Sequence, residues 1–369
     1  MKRILSIFFL STVILTITGC EQFETSYERI DHNEFRMLDF IYEPADIAPG
    51  DSVTLTAVFA GKNVGDLDSY LDWWISFSVI RDIFGNTTVV DSGRLDVDTM
   101  SRRYYTDFSP NTQAISLRFK IPEDIVRTSP SIPPRWTDML PLNIVNQLPQ
   151  ELREMTKDEV VDSIESGSEI VNPITLQLFT VPIRISARMQ TPGKLPHTIV
   201  SNHSVRYNSR FADNPAIPIN TNPVIDSVVV YKIRGELAYG SLRDTVGRTF
   251  TKITLDNTGE KEIVVESGYS YFLEGITSNI DRIMTMDGRW TDEKHLSYRQ
   301  FMLHPEEAGR VHHSKYIDIN NQSGQITMPT DRRITQFIFW ITVTDEAMNE
   351  RLRPQGSALA EVSGRFVYE

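Results

Sequence analysis

Residues 51–59, DSVTLTAVF, and residues 71–80, LDWWISFSVI, decide the fold. In the first stretch apolar positions alternate with hydroxyl side chains, so that Ser52, Thr54 and Thr56 separate Val53, Leu55, Ala57 and Phe59. Because successive side chains of a strand point to opposite faces, this pattern predicts a strand with one buried face. In the second stretch Trp73 and Trp74 are adjacent, so one of them must point outward if the other points inward. We therefore expect two strands that contribute to one core.

Runs of the same kind continue outward from this pair along the chain. They are rich in Val, Ile, Thr and Phe, and Gly, Pro, Asn and Asp separate them. Short alternating runs with turn residues between them are typical of an all-β sandwich. The runs AISLRFKIP at 114–122, ITLQLFTVPIRISARM at 174–189 and HTIVSNHSVRY at 197–207 complete a first predicted unit over residues 35–211.

The pair DSVTLTAVF…LDWWISF resembles strands B and C of an immunoglobulin-like domain, with Trp73 or Trp74 in the place of the buried Trp of that fold. The disulfide that accompanies this Trp in antibody domains is missing, as it is in many bacterial immunoglobulin-like and polycystic-kidney-disease-like domains. A later stretch, GQITMP…FIFWITVTDEAMN at 324–349, is similar to the end of cadherin-like repeats. The resemblance implies an all-β fold of two tandem immunoglobulin-like β-sandwiches.

A non-strand insertion over residues 124–172 interrupts the first unit. It contains five prolines, which do not support a regular strand ladder: Pro130, Pro133, Pro134, Pro141 and Pro149. Thr156 and Glu159 then have the spacing of a capping box, and apolar residues follow at 160, 161 and 164. The pattern predicts a short helix that lies against the sandwich.

A proline-rich stretch, FADNPAIPINTNP at 211–223, favours a domain boundary, and we assign residues 212–221 to a linker. Residues 222–369 then form a second predicted sandwich. Its strands follow the order of the first, with VIDSVVVYK matching MLDFIYEP, SGYSYFLEGITS matching GDSVTLTAVFAG, and SALAEVSGRFVYE matching IVSNHSVRYN. An internal duplication explains this order, and chance likeness among β-sequences is the alternative.

The chain begins with MKRILSIFFLSTVILTITGC, which has the layout of a secretory signal. Lys2 and Arg3 precede an uncharged apolar run at 4–18, which is shorter than the roughly 20 residues of a membrane-spanning helix. The last four residues, ITGC at 17–20, resemble the lipobox of bacterial lipoproteins. That resemblance implies removal of residues 1–19 and lipidation of Cys20. An ordinary signal with a Cys near the cleavage point is the alternative.

Residues 20–34 are polar and acidic, which predicts a flexible tether behind the lipid. Position 21 is Glu and not Asp, and in lipoproteins of enteric bacteria the absence of Asp there is associated with the outer membrane. The expected location is therefore the cell envelope, with the outer membrane favoured and either its periplasmic or its surface-exposed face left open.

Composition excludes several classes of function. The chain has 37 basic and 49 acidic residues, and removal of residues 1–19 takes away two basic ones, so the charge changes from −12 to −14 (35 − 49). An acidic chain without a basic stripe argues against nucleic acid as a partner. Cys20 is the single cysteine, so no intramolecular disulfide forms and thiolate metal sites are excluded if lipid occupies it.

Two groups of side chains are candidates for metal ligands. His295, His304, His312 and His313, with Asp292 or Glu306, lie in one charged segment at 281–314, although their spacing fits no tetrahedral zinc motif. Carboxylates at predicted strand ends are candidates for calcium: Asp66, Asp68 and Asp72, or Asp345, Glu346, Asn349 and Glu350. Neither carboxylate set has the DxDxDG loop of a calcium site. Solvated loops are therefore favoured for the histidines and the carboxylates, and we predict no bound metal or cofactor.

No G-x-S-x-G motif of a serine hydrolase is present. A pair of glycosidase carboxylates comes together in space, so the sequence leaves that alternative open. Five tryptophans, at 73, 74, 136, 290 and 340, invite comparison with a sugar-stacking surface, with core or interdomain packing as the favoured role. We therefore expect a noncatalytic, lipid-anchored binding, spacing or assembly protein with an unknown protein or glycan partner, presented by the segments at 124–172 and 281–314. A glycan-binding accessory protein or polysaccharide-active enzyme is the alternative.

Overall fold

The fold is seen in a computed structural model. It describes residues 27–29, 36–60, 71–81, 87–94, 103–109, 112–140, 142–146, 148–166, 179–190, 196–207, 220–235, 250–256, 262–277, 282–284, 290–292, 296–304, 310–314, 323–326, 332–333, 335–345 and 356–368. Cys20 and the predicted signal lie outside these residues. Among the helices in the described ranges, none is long and apolar enough to cross a membrane.

Strands dominate the described residues, as the sequence predicts for an all-β protein. They are β1 (Tyr27–Arg29), β2 (Arg36–Glu43), β3 (Ser52–Ala60), β4 (Leu71–Arg81), β5 (Thr87–Arg94), β6 (Arg103–Ser109), β7 (Thr112–Lys120), β8 (Thr180–Met189), β9 (His197–Arg206), β10 (Ile225–Arg234), β11 (Phe250–Asp256), β12 (Ile263–Glu266), β13 (Tyr269–Thr277), β14 (Arg282–Met284), β15 (Trp290–Asp292), β16 (Leu296–His304), β17 (Arg310–Ser314), β18 (Ser323–Ile326), β19 (Gln336–Asp345) and β20 (Ser357–Val367). Between β7 and β8 lie α1 (Ile125–Thr128), a 3-10 helix (Trp136–Met139), α2 (Leu142–Val145), α3 (Gln150–Glu154) and α4 (Lys157–Glu165).

The first sandwich is made of two four-stranded antiparallel sheets. Their strand orders are β2-β3-β7-β6 and β5-β4-β8-β9. Lettered in chain order from A, with β5 as C′, these are the orders A-B-E-D and C′-C-F-G of an immunoglobulin-type sandwich. The strands predicted as B and C are therefore β3 and β4, and they lie in opposite sheets.

Alternation along β3 places its apolar set in the core. Val53, Leu55, Ala57 and Phe59 are each 0% exposed. From the opposite sheet Trp73 is 1% exposed, and its ring meets Phe40 edge-on with 6.4 Å between centroids. Trp73 thus takes the place of the buried Trp, and the sequence prediction for this pair of strands is confirmed.

The helical insertion is part of the same core. Its apolar side chains belong to the cluster that fills the first sandwich, namely Ile125, Val126, Ile132, Trp136, Leu152, Val160, Val161 and Ile164. The predicted capping box is present, because the Glu159 amide donates to Thr156 Oγ1 at 3.3 Å and the Thr156 amide donates to Glu159 Oε2 at 2.7 Å. The Thr156 amide and hydroxyl both donate to the Glu159 carboxylate, and these two hydrogen bonds lower the pKa of Glu159.

Trp136 is fully buried and packs on Phe179 with 5.5 Å between ring centroids. Trp136 is therefore a core residue of the first sandwich and not part of an exposed surface of the insertion. Burial of a large aromatic side chain removes much apolar surface from water, which favours packing of Trp136 in the core.

The second sandwich repeats the strand positions of the first. Its sheets have the orders β11-β10-β13-β18 and β1-β17-β16-β19-β20-β12. Strands β10, β13 and β18 correspond to β2, β3 and β7, and strands β17, β16, β19 and β20 correspond to β5, β4, β8 and β9. The pairs of strands matched in sequence therefore occupy equivalent places in the two sheets. The segment at 281–314 contributes β16 and β17 to the sandwich, whereas β14 and β15 form a separate two-stranded sheet.

The predicted tether contains a short strand. Strand β1 pairs antiparallel with β17, with Tyr27 opposite Ser314 and Arg29 opposite His312. Pairing with an edge strand satisfies backbone groups that an isolated polar segment leaves to water. Residues 27–29 are thus a paired part of the second sandwich.

The two sandwiches meet through the outer face of the sheet that contains β2, β3 and β7. Leu38, Val58, Ala60 and Ala114 from this face cluster with Ile338 and Trp340 of β19. Trp340 is 0% exposed, and its Nε1 donates a hydrogen bond to Glu361 Oε2 at 2.8 Å. We call this group of side chains the joint. Because these side chains are apolar and buried, their contact stabilises the position of one sandwich against the other.

Polar contacts close the joint beside the linker. Asn222 donates through Nδ2 to the Tyr42 carbonyl oxygen at 2.8 Å and accepts through Oδ1 from the Ser357 amide at 2.9 Å. The Ser357 hydroxyl in turn donates to the carboxylate of Asp39 on β2. Gly356 permits this approach, since a Cβ there would lie 2.8 Å from the Thr221 carbonyl oxygen. Asn222, directly after the predicted linker, is therefore held to both sandwiches.

Candidate functional site

The predicted zinc ligands lie partly inside and partly outside the described strands. His304, His312 and His313 lie on the paired strands β16 and β17, whereas His295 and Glu306 lie outside the described residues. Asp292 is the last residue of β15, which belongs to a separate two-stranded sheet. Within the described ranges, no group of three or more His, Cys, Asp or Glu side chains is placed to hold a metal ion.

The predicted calcium ligands are divided in the same way. Asp72 is on β4 and Asp345 ends β19. Asp66, Asp68, Glu346, Asn349 and Glu350 lie outside the described residues. Each of the two alternative sets thus has one described carboxylate, and both sets stay predictions.

The tryptophans separate into buried and exposed ones. Trp73, Trp136 and Trp340 are between 0% and 1% exposed, which confirms core and joint packing as their role. Trp74 is 39% exposed, as the alternation of neighbouring strand residues requires once Trp73 is buried. Trp290 lies on β15, and its side chain is outside the described part of the structure. Trp74 is therefore the candidate anchor of a binding surface.

Trp74 lies on the outer face of the sheet β5-β4-β8-β9. On this face Trp74 stands opposite Ser186, and Asp72 stands opposite Arg188. On the next strand, β9, Val200 stands opposite Ser186 and Thr198 stands opposite Arg188. We call this surface the Trp74 face, and its residues are Asp72, Trp74, Arg184, Ser186, Arg188, Thr198, Val200 and Asn202.

Two arginines flank Trp74 on the neighbouring strand. Arg184 and Arg188 lie two positions before and after Ser186. Diagonal neighbours across a strand pair have Cα atoms about 7–8 Å apart, within reach of a long side chain. Among the described residues neither arginine forms an ion pair. Positive charge is therefore available on both sides of the indole ring.

The remaining side chains of the Trp74 face are short and mostly polar. Thr198 and Asn202 are exposed, whereas Ser186 and Val200 are half-buried. Hydroxyl and amide groups donate and accept hydrogen bonds in many directions. The face thus combines one flat aromatic surface, two cations and several groups that hydrogen-bond.

The Trp74 face lies on the far side of the first sandwich from the joint. The joint uses the outer face of the other sheet, where Val58 and Ala114 are buried. Because the two sheets of a sandwich present their outer faces in opposite directions, the second sandwich leaves the Trp74 face open.

Sequence prediction identified Trp74 as one of a pair but missed the arginines and Asn202. The sequence pattern that indicates the arginines is PIRISARM at 182–189, where Arg184 and Arg188 alternate with apolar residues that are buried. Such alternation places both guanidinium groups on the face opposite the core. Only the pairing register shows that Trp74 lies between them.

A buried histidine lies beneath this face. His203 is next to Asn202 on β9 and points inward, where it is 2% exposed. The Ser204 amide donates to its Nδ1 at 2.7 Å, and its Nε2 has no hydrogen-bond partner in the described part of the chain. Its ring stands edge-on to that of Tyr42, with 4.2 Å between centroids. Burial lowers the pKa of His203 to about 4.

We expect His203 to make the first sandwich sensitive to acid. The unfolded chain binds a proton below pH 6.5, whereas the folded chain resists it until the pH approaches about 4. Stability contributed by neutral His203 is therefore complete above pH 6.5 and falls as the pH drops toward 4, by up to about 3 kcal/mol. Urea unfolding at pH 7 and at pH 4.5 measures this change.

His203→Phe is the matched variant for that experiment, because it keeps a ring and removes the proton site. The loss of stability between the two pH values should be smaller in the variant than in the parent chain. An equal loss in both proteins contradicts the assignment, since the remaining titrating groups are common to them.

No protein-family model matches the sequence. A search of curated proteins likewise finds no significant match.

Proposed function

We propose that the protein is a lipid-anchored component of a bacterial cell envelope with a noncatalytic binding, spacing or assembly role. The observation that carries the proposal is the arrangement of its surfaces, with two sandwiches fixed together at the joint and the Trp74 face left open on the far side. Two sandwiches fixed together, with the Trp74 face exposed, are suited to hold a partner at a set distance from an anchor.

The anchor in this proposal is Cys20. The N-terminal run ends in ITGC, and residues 4–18 are too short to span a bilayer comfortably. One acyl chain gives marginal binding at ~0.8 kcal/mol per buried CH₂, so stable attachment needs the several chains that lipoprotein processing supplies. The favoured location is the outer membrane, because Glu21 and not Asp follows Cys20.

Cys20→Ser should release the protein from membranes or leave its signal uncleaved, because serine has no thiol to acylate. The measurement is membrane fractionation of cells that express either form, with metabolic labelling by a palmitate analogue. Thr18→Ser is a suitable control, since it changes the same stretch and keeps the thiol. Labelled, processed Cys20→Ser protein would contradict the lipid anchor.

A glycan-binding accessory protein is the second candidate function, favoured by the exposure of Trp74 among polar side chains. It differs from a polysaccharide-active enzyme in one measurable respect. The binding protein retains a polysaccharide without shortening it, whereas the enzyme generates new reducing ends. Prolonged incubation with a retained polymer, followed by an assay for reducing ends, separates the two.

A further inference from the structure

We propose that the Trp74 face binds a polysaccharide that carries carboxylate groups, with Trp74 stacking on a sugar ring and Arg184 and Arg188 pairing with the carboxylates. This inference rests on the binding role proposed above and is independent of the lipid anchor. It names a ligand class for one face of the first sandwich.

The first argument is the position of Trp74. A pyranose ring has one face made of C–H groups, which packs on a flat aromatic surface. Trp74 offers such a surface at 39% exposure on a β-sheet, with Ser186 and Val200 in line with it across β8 and β9. The small and half-buried neighbours leave room for a ring above the indole, so a sugar can reach it without rearrangement of the sheet.

The second argument is charge. The chain as a whole carries −12, yet two arginines without described ion pairs flank the indole. Guanidinium groups bind carboxylates through two parallel hydrogen bonds, which makes arginine selective for such groups. Arg184 and Arg188 are four residues apart on β8, a distance of about 13 Å along the strand. That spacing allows acidic groups on both sides of the stacked ring to be engaged.

The third argument is the polar character of the rest of the face. Ser186, Thr198 and Asn202 supply groups that match the hydroxyls of a sugar. A protein partner usually contacts a cluster of aromatic and aliphatic anchors that is dry at its centre. On the Trp74 face the indole is accompanied by half-buried Val200 and polar neighbours, which favours a hydrated, hydroxyl-rich ligand.

The test uses the full chain in detergent solution and three polymers of similar length. Two of them, polygalacturonate and alginate, carry a carboxylate on every ring, whereas dextran is uncharged. Retardation in gels that contain each polymer measures affinity. We expect at least one uronate polymer to retard the protein and dextran to do so more weakly. Trp74→Ala should reduce the affinity by about tenfold or more, and Arg184→Gln by about fivefold.

Matched controls lie elsewhere on the surface. Tyr269 in the second sandwich is 37% exposed, and the Arg135 side chain in the insertion is 75% exposed. Tyr269→Ala and Arg135→Gln should leave affinity within about twofold of the parent. Thermal unfolding of Trp74→Ala checks that the sheet remains intact.

Several outcomes overturn the proposal. These are no retardation by either uronate polymer, equal retardation by dextran, or retardation that Trp74→Ala leaves unchanged. If neither uronate polymer binds and Trp74→Ala abolishes binding to an envelope protein, the face belongs to a protein partner and the glycan assignment fails. The result of Cys20→Ser bears on the anchor alone, so the two proposals fail separately.

Discussion

Replacing Asp46 with alanine is expected to lower the free energy of unfolding by about 3–5 kcal/mol, the range for breaking a buried ion pair. Asp46 Oδ1 accepts from Arg206 Nε at 2.9 Å, and its second oxygen accepts from Arg206 Nη2 and from the Asn220 amide. The side chains of Asp46 and Arg206 are 0% and 4% exposed. Alanine leaves the guanidinium buried without this carboxylate. Urea denaturation at pH 7 measures the loss.

The effect should depend on the unbalanced charge. Asp46→Leu combined with Arg206→Met should recover most of the lost stability, because apolar residues of similar volume do not require charge compensation. Glu262→Ala is the control for an exposed pair, in which Glu262 lies 3.1 Å from Arg365 and both side chains are about half exposed. That change should cost less than about 1 kcal/mol. Equal losses for Asp46→Ala and Glu262→Ala would contradict the role assigned to burial.

Trp340→Ala is expected to destabilise the protein by about 3–5 kcal/mol and to uncouple the two sandwiches. Trp340 is fully buried in the joint, where it meets residues of the first sandwich such as Leu38 and Val58. Alanine leaves a cavity between the sheets and removes the hydrogen bond to Glu361. Scanning calorimetry should show one transition for the parent chain and two for the variant.

Trp74→Ala is the matched control for the joint, since it makes the same chemical change on an exposed face of the first sandwich. Because Trp74 is 39% exposed, its loss should cost much less stability than that of Trp340. A single transition in Trp340→Ala, at the same temperature as in the parent, would show that the joint does not couple the sandwiches.

The joint bears directly on the proposed function. The sequence alone suggested two sandwiches separated by a linker at 212–221. In the structure Asn222 of the linker region bridges Tyr42 and Ser357, and apolar side chains from both units share one buried cluster. A spacer built in this way transmits position, because rotation about the linker requires that these contacts break.

Local patterns predicted several parts of the fold correctly. The alternation in DSVTLTAVF identified the buried face of β3, and the capping box from Thr156 to Glu159 identified the start of α4. Both depend on interactions within a few residues, or on the two-residue period of a strand, so the sequence contains the needed information. The order of matched runs likewise anticipated which strands of the two sandwiches are equivalent.

Other features required long-range pairing. Asp46 and Arg206 are 160 residues apart, and neither has a sequence neighbour that predicts a buried ion pair. The sequence did not show which core receives Trp136, nor that part of the segment at 281–314 pairs with a central strand of the second sandwich. Trp136 is buried in the core of the first sandwich. Strand β16 of the segment at 281–314 pairs with β19.

By itself, the sequence determined that the chain is an all-β protein of sandwich type and that Trp73 and Trp74 have opposite orientations, because the two-residue period of a strand is a local property. Only the tertiary structure decided which of the two tryptophans is exposed, that Arg184 and Arg188 flank it, and that the second sandwich covers the opposite sheet. Those results depend on the register between strands far apart in sequence and on which apolar faces exclude water together, and neither is encoded in any short stretch.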